Sequence, residues 1–244
     1  KLQKEYGVTV TVGHSARLLG GVQEIKKRIL NGELGKVGFF EANFSNERAL
    51  ELTPDTWRWY RDRAPGGPLS QLAIHMFDVV NYLGETIVEA SSIASKLSPV
   101  GAEVDDQSMT LLKFSDGAIA YIGTCWTSPG IFALRVFGSK ALIHYEIDFG
   151  TWDTPEKIKN SSTFYIQRGK DGFGKREVLS EPETNMFTAE LDIFAESCKS
   201  GETSVLSAAN GNEAVACVYA ALSSIDKNGV SVKLSEVMES ARNR

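Results

Sequence analysis

The 244-residue sequence has no apolar run long enough to cross a membrane and no segment with the pattern of a secretion signal. Basic residues are not in excess either, since 26 lysines and arginines stand against 31 aspartates and glutamates. This balance argues against nucleic acid or a membrane surface as a general partner. Disorder is excluded as well, because hydrophobic residues make up 42% of the chain and can form a core.

Cysteine is scarce. The three cysteines, Cys125, Cys198 and Cys217, are scattered along the chain, and none forms a CxxC pair. An odd number without this motif is typical of reduced thiols, so we expect a cytoplasmic protein. Each cysteine lies in an apolar stretch, which predicts that all three are buried as small hydrophobic side chains.

Several catalytic motifs are also missing. The sequence contains neither GxGxxG nor GxxxxGKS/T, so no loop that cradles phosphate groups can be assigned. It has no GxSxG nucleophile turn, and no histidine or cysteine pair has the spacing of metal ligands. We therefore expect no metal site.

Strand-like segments rich in β-branched and aromatic residues dominate residues 86–180. Two turns, Ser115–Gly117 and Gly138–Lys140, have the composition of hairpins, which indicates antiparallel pairing. The predicted strands are Thr86–Lys96, Gln107–Phe114, Ala118–Trp126, Phe132–Phe137, Ala141–Phe149, Phe164–Arg168 and Arg176–Leu179.

Helical segments flank this block. A short strand at 8–12, an amphipathic helix ending at Asn31-Gly32 and a strand at 37–44 come first. Two amphipathic helices and a short strand at 230–234 close the chain. Their apolar faces are Phe187, Leu191, Phe194, Ala195 and Cys198, then Val215, Val218, Tyr219, Leu222 and Ile225. This order predicts an α+β fold, with an open, predominantly antiparallel sheet and helices packed on one face.

The helix predicted over residues 69–83 carries two stripes. One is apolar, and the other consists of Gln71, His75, Asp78 and Tyr82, which could line a cleft. His75 is the best candidate for a general acid or base, because imidazole both takes and returns protons near neutral pH. The alternative is a hydrogen-bonded histidine at a helix–sheet contact.

For the other candidate residues, a structural role is an alternative to a functional one. His14 could reach a cleft at the end of the first strand or could cap the following helix. The pair Trp57-Arg58 suits a hydroxylated or anionic ligand, through guanidinium hydrogen bonds and ring stacking. It could equally be a solvated arginine beside a tryptophan buried at a sheet edge. For His144, within a strand, we expect a structural or surface role.

Four passages together resemble the Gfo/Idh/MocA family of NAD(P)-dependent oxidoreductases. Residues 12–17, VGHSAR, are similar to the end of its nucleotide domain, and residues 25–37, IKKRILNGELGKV, to the passage into its second domain. Residues 66–78, GGPLSQLAIHMFD, resemble its histidine signature, which is the most specific match. The closing segment, with Phe187, Glu190 and Phe194, resembles its final helices.

The resemblance implies a two-domain enzyme whose first domain is a Rossmann fold that binds NAD or NADP. Residues 1–35 would be the end of that domain. Residues 36–244 would be the substrate-binding and oligomerisation domain, with a fold like that of dihydrodipicolinate reductase. Because the chain starts at Lys1 and lacks the glycine motif, we expect a truncated product that is inactive and binds no cofactor tightly.

The resemblance also assigns roles. His75 would be catalytic, taking a proton from a substrate hydroxyl, with Gln71 beside it where the family commonly has Asp. Asp78 would hydrogen-bond substrate, and Arg17 would face substrate or cofactor. We add His14 as a cofactor contact. From their side-chain chemistry, we also expect Trp57 and Arg58 to contact substrate.

Two functions remain open at this point. The first is the C-terminal part of a dehydrogenase acting on a ring hydroxyl or ketone of a sugar, sugar nucleotide or cyclitol. The second is a non-enzymatic module for oligomerisation or ligand sensing. In both, the sheet would form a homo-dimer or homo-tetramer through its open face.

Overall fold

A computed structural model of the chain describes residues 2–148, 150, 154–170 and 174–242. Nine strands and seven α-helices are formed within these ranges. The strands are β1 Val37–Ser45, β2 Ile87–Ser95, β3 Gln107–Phe114, β4 Ile119–Cys125, β5 Ile131–Gly138, β6 Ala141–Asp148, β7 Thr163–Arg168, β8 Arg176–Val178 and β9 Val232–Lys233. The helices are α1 Leu2–Tyr6, α2 Gly20–Leu30, α3 Ile74–Leu83, α4 Pro155–Ser161, α5 Met186–Ser200, α6 Ala208–Asp226 and α7 Leu234–Arg242.

All nine strands form one sheet in the order β8-β7-β6-β5-β1-β4-β3-β2-β9. Every neighbouring pair is antiparallel except β1 and β4, which run parallel in the middle of the sheet. The prediction of an α+β fold with a mostly antiparallel sheet is therefore confirmed. The predicted hairpins β3–β4 and β5–β6 also form. The predicted strand end at Phe149 lies outside the described residues.

The core lies on one face of the sheet. Side chains alternate along β3, where Leu112 and Phe114 are buried while Met109 and Leu111 are exposed. The predicted apolar stripe of α3 is buried against this face, together with residues of α2 and α6. The stripe consists of Leu72, Met76, Val79, Val80 and Leu83. The alternating side chains of the strands and the apolar stripe of the helix thus pack together in a single core.

The strand predicted at residues 8–12 does not form. Its only pairing among the described residues is an isolated bridge between Thr11 and Ser207, beside a hydrogen bond from Val12 N to Leu206 O. A strand needs neighbours for its backbone N–H and C=O groups, and no described strand lies alongside this segment. The β-branched composition of residues 8–12 was therefore not sufficient to predict a strand.

Helix α5 does not bury the face that was predicted, and helix α6 buries only part of its predicted face. On α5, Phe187, Leu191 and Phe194 are exposed, and Cys198 is exposed as well. On α6, the buried face consists mainly of small residues, while Tyr219 is exposed. Of the predicted face of α6, Val218 is buried, and Leu222 and Ile225 pack against the core while partly exposed. Small side chains let α6 approach the sheet and α3 closely.

Two further expectations need correction. The final predicted strand shrinks to Val232–Lys233, and Leu234 begins helix α7. Of the cysteines, only Cys217 is fully buried, since Cys125 is partly exposed and Cys198 exposed. Within the described ranges, no helix is long and apolar enough to cross a membrane.

Candidate active site

The start of α3 has an unusual geometry. Residues Leu69–Ala73 form one π-helical turn, which leads directly into α3. Gly67 precedes this turn with a positive φ of 52°, and a Cβ there would meet the carbonyl oxygen of Asp105 at 2.1 Å. Gln71 and His75 are four residues apart on this continuous helical segment, about one turn, so they face the same side.

That side is a cavity of about 240 Å³. Its polar lining consists of Ser15, Asn46, Arg48, Arg58, Gln71 and His75. Its apolar lining consists of Ala16, Phe44, Leu72, Trp126 and Phe187. The cavity therefore combines an imidazole, two guanidinium groups and two amides with aromatic walls, which is a composition suited to a small polar ligand.

His75 has an ionisation state that follows from its surroundings. Burial, the larger cause, and the neighbouring His14 lower the pKa of this imidazole to about 4, while Asp78 opposes the shift. The ring lies edge-on to the ring of His14 at 5.9 Å and beside Phe44 at 6.0 Å. At neutral pH the imidazole is uncharged and can accept a proton.

Asp78 lies behind this histidine rather than in the cavity. It is 1% exposed, and its carboxylate accepts hydrogen bonds from His14 Nδ1 at 2.8 Å and from Arg17 Nε at 2.8 Å. A second guanidinium nitrogen of Arg17 also bonds to it. Burial alone would raise the pKa of Asp78, but the hydrogen bonds from His14 and Arg17 outweigh burial and hold it below its ordinary value.

Arg17 is equally enclosed. Its third donor reaches Val205 O at 2.8 Å, and its guanidinium lies 5.0 Å from the ring centre of Tyr82. His14 is 7% exposed and makes no side-chain cap to the following turn. The structure thus brings the predicted residues His14, Arg17 and Asp78 together as one buried cluster. None of the three belongs to the cavity lining.

Arg58 and Gln71 do meet in the cavity. Arg58 Nε donates to Gln71 Oε1 at 3.3 Å, and its guanidinium stacks 4.3 Å from the ring centre of Trp57. Trp57 is 43% exposed and lies behind Arg58, outside the lining. Trp57 therefore orients the arginine. The alternative, a tryptophan buried at a sheet edge, is wrong because Trp57 is exposed.

Sequence reasoning missed Arg48, Asn46, Trp126 and Phe187. Arg48 and Asn46 follow the end of β1, and Asn46 Oδ1 accepts the Arg48 backbone N–H at 3.1 Å. Trp126 follows β4, the parallel neighbour of β1, so the ends of these two strands meet at the cavity. Only the pairing of β1 with β4 brings these residues together. Because the two strands are distant in the chain, no local sequence pattern identifies them.

His144 lies on the other face of the sheet. It is buried there by stacking on Tyr165, and Arg135 Nε donates to its Nδ1 at 2.9 Å. Burial and the charge of Arg135 lower the pKa of this histidine. It takes no part in the cavity.

The N-terminus of α2 does not fit the phosphates of a dinucleotide. The N-terminus of α2 carries two glycines, but the carboxyl group of Glu181 already occupies it. Glu181 Oε1 accepts the Gly21 N–H at 2.8 Å and the Tyr145 hydroxyl at 3.1 Å, and a Cβ at Gly20 would meet Pro182 O at 2.1 Å. A phosphate group at this helix end would meet the carboxyl group of Glu181. No metal-binding cluster of His, Cys, Asp and Glu occurs in the described ranges.

Fold and cavity together define an α+β domain with a polar cavity lined by the uncharged imidazole of His75. Residues 22–144 match the model of the GFO/IDH/MocA C-terminal domain. The chain belongs to the Gfo/Idh/MocA family of oxidoreductases.

Three relatives illustrate the match. A crystal structure from Desulfitobacterium hafniense, assigned as an NADPH-dependent oxidoreductase, is 32% identical with a TM-score of 0.90, covering 97% of this chain and 68% of that one. The myo-inositol 2-dehydrogenase of Thermotoga maritima is 26% identical, covering 96% and 67%. A levoglucosan dehydrogenase in complex with NADH and levoglucosan shares the fold, at 18% identity, a TM-score of 0.78, and coverage of 95% and 67%. The chain thus spans about two thirds of these relatives.

Proposed function

We propose that this chain is the substrate-binding and oligomerisation part of an NAD(P)-dependent dehydrogenase for a ring hydroxyl or ketone of a sugar or cyclitol. The observation that carries the proposal is His75, an imidazole that is uncharged at neutral pH and lines a polar cavity. The substrates named for the relatives, myo-inositol and levoglucosan, are a cyclitol and a sugar derivative.

His75 would act on the substrate hydroxyl. When an alcohol is oxidised to a ketone, the nicotinamide cofactor supplies the hydride acceptor, and the hydroxyl proton needs a base. A neutral imidazole nitrogen of His75 takes that proton, and in the reverse direction it returns it. Gln71 and Asn46 offer amide groups for the remaining hydroxyls, and Phe44 and Trp126 provide apolar walls.

The buried cluster of His14, Arg17 and Asp78 would position His75. Asp78 holds His14 through Nδ1, and the His14 ring lies against the His75 ring. We propose this supporting role for Asp78, Arg17 and His14 in place of direct contact with substrate or cofactor. It follows from their burial and from the hydrogen bonds they make with one another.

The division of the chain is part of the proposal. Residues 1–35 would be the end of a nucleotide-binding domain, and residues 36–244 the substrate-binding domain. The lack of a described strand neighbour at residues 8–12 supports the first assignment. The N-terminus of α2, occupied by Glu181, offers no phosphate site. Calorimetry of this chain with NADH and NADPH should therefore show no tight binding, and sub-micromolar affinity would contradict the division.

A homo-oligomer formed through the open face of the sheet is also proposed. This face exposes Ile93, Met109 and Leu111 beside the ion pair of Arg135 and Glu41. A Leu111→Glu change should shift the sedimentation coefficient towards the monomer, because it buries a charge between subunits. Leu97→Glu, at an exposed loop position, is the matched control. A wild-type monomer at micromolar concentration would contradict the proposal.

The activity itself is tested on the complete gene product. Sugars and cyclitols are offered with NAD and with NADP, and the absorbance of reduced nicotinamide is followed. Substrate-dependent reduction of one cofactor is expected. Ligand binding with no turnover on any substrate would instead favour the non-enzymatic ligand-sensing module.

A further inference from the structure

Two arginines, Arg48 and Arg58, line the same cavity as His75. Arg48 lies in the turn Arg48–Glu51 that follows β1, and Arg58 lies in the turn Trp57–Trp59. Both contribute to the cavity, and its lining includes no aspartate or glutamate among the described residues. The cavity is therefore positively charged although the chain as a whole is acidic.

The two guanidinium groups are close enough to affect each other. Burial lowers the pKa of Arg58, and the charge of Arg48 lowers it further. Some other arginines of this protein meet carboxylates: Arg17 pairs with Asp78, Arg28 with Glu24, and Arg135 with Glu41. In the described part of the chain, neither Arg48 nor Arg58 has an ion pair. Two adjacent cations without a counter-charge gain most from an anion placed between them.

The side chain of Arg58 is also restrained by its neighbours. Its Nε is bonded to Gln71, and its plane is stacked on Trp57, so its position is restrained on two sides. Its terminal nitrogens make no hydrogen bond within the described residues. Trp126 adds a buried indole N–H in the same lining that has no acceptor there. Donors restrained in this way, without acceptors of their own, are typical of a site for a carboxylate or phosphate.

We infer that the substrate of this site carries an anionic group, a carboxylate or a phosphate, which Arg48 and Arg58 bind while the reacting hydroxyl faces His75. The position of the hydroxyl rests on the proposed function, whereas the anion site rests only on the arginines. The substrate class is then a sugar acid or a sugar phosphate rather than a neutral sugar.

The test compares matched ligands. Calorimetry of the complete gene product without cofactor uses neutral hexoses of gluco, galacto and manno configuration, the corresponding uronates, and the corresponding 6-phosphates. In at least one configuration, we expect a charged member to bind about 10- to 100-fold more tightly than the neutral one, as charge-assisted hydrogen bonds predict. Raising the salt concentration should weaken only the charged ligands. The uronate and phosphate arms identify which anion is preferred.

Variants link this preference to the arginines. Arg48→Gln and Arg58→Gln should each weaken the charged ligand about tenfold and leave the neutral one within about twofold. Arg63→Gln is the control, because Arg63 stacks on Tyr60 outside the cavity lining. Circular dichroism and thermal melting check that each variant is folded.

Two results would overturn the inference: no preference for a charged ligand in any configuration, or an equal loss of charged and neutral ligands in the arginine variants. Failure of the proposed function looks different. If the enzyme binds an anion through both arginines but never reduces a nicotinamide, the anion site stands and the dehydrogenase proposal fails.

Discussion

Arg58 Nε donates a hydrogen bond to Gln71 Oε1 at 3.3 Å, and Gln71 lies one turn before His75. A neutral amide therefore separates the guanidinium from the imidazole. A carboxylate at position 71 would both pair with Arg58 and favour the charged form of His75. The amide does neither, so His75 keeps a low pKa and Arg58 keeps its charge for a ligand.

The first prediction concerns this amide. Gln71→Asp should raise the pKa of His75 above its value of about 4, because the new negative charge stabilises the imidazolium. The same change should weaken anion binding, since the introduced carboxylate would compete with the ligand for Arg58. NMR titration of the His75 ring measures the first effect. Gln71→Asn, which adds no charge, is the control, and an unchanged pKa in Gln71→Asp would contradict the geometry.

A second prediction concerns the pH dependence of activity. Oxidation of the substrate hydroxyl needs uncharged His75, and its pKa of about 4 keeps it uncharged from about pH 6 to about pH 8. The kcat/KM for oxidation should therefore show no loss from protonation of His75 in that range and should fall only as the pH approaches 4. The measurement is a pH profile on the complete gene product. An inflection near pH 6.5 that disappears in His75→Gln would contradict it.

A third prediction concerns stability of the buried cluster. Asp78→Asn removes the carboxylate that neutralises Arg17, which is 3% exposed, and leaves a buried charge unpaired. The free energy of unfolding should fall by about 3–5 kcal/mol in urea denaturation. Asp62→Asn, at an exposed position, should change it little. The double variant Arg17→Met with Asp78→Leu should recover part of the loss, and no recovery would show that the charge is not the cause.

A fourth prediction concerns Glu181. Burial raises the pKa of this carboxyl from 4.5 to about 7, against the opposing hydrogen bonds from Gly21 and Tyr145. The folded state then holds a proton that the unfolded state loses above pH 4.5. Stability from this group is therefore full below pH 4.5 and declines as the pH rises to about 7, by about 3 kcal/mol in total.

The variant Glu181→Gln keeps an acceptor for Gly21 and removes the titration. Its free energy of unfolding should exceed that of the wild type at about pH 8 and lose the difference towards pH 4.5. Chemical denaturation at both pH values measures this. Equal pH dependence in the two proteins would show that Glu181 does not titrate as its burial requires.

Local patterns were enough to predict most of the elements. The hairpin turn Ser115–Gly117, the stop at Asn31-Gly32 and the β-branched and aromatic composition of residues 86–180 are each local features of the sequence. The buried faces of α5 and α6 were not predictable in the same way. Which side of a helix is covered depends on elements distant in the chain, and on α6 small residues occupy the buried side.

The same distinction applies to the residues of the candidate site: some were predictable from local patterns, and others were not. His75 and Gln71 share a helix, so their spacing placed them together, and Arg58 was found through its neighbour Trp57. Arg48 and Trp126 needed the parallel pairing of β1 and β4, which no local pattern encodes. The role proposed for Asp78 also changed, because only the folded chain brings Arg17 to it from 61 positions away.

The central claim is that His75 exchanges the proton in a dehydrogenase site. The most direct test compares kcat of His75→Gln with kcat of His144→Gln in the complete gene product, on the same substrate and cofactor. His144 is equally a histidine of the sheet domain but lies on the opposite face. We predict that His75→Gln lowers kcat by about 10²- to 10⁴-fold with substrate affinity nearly retained, and that His144→Gln changes it little. Full turnover in a folded His75→Gln variant would contradict the account.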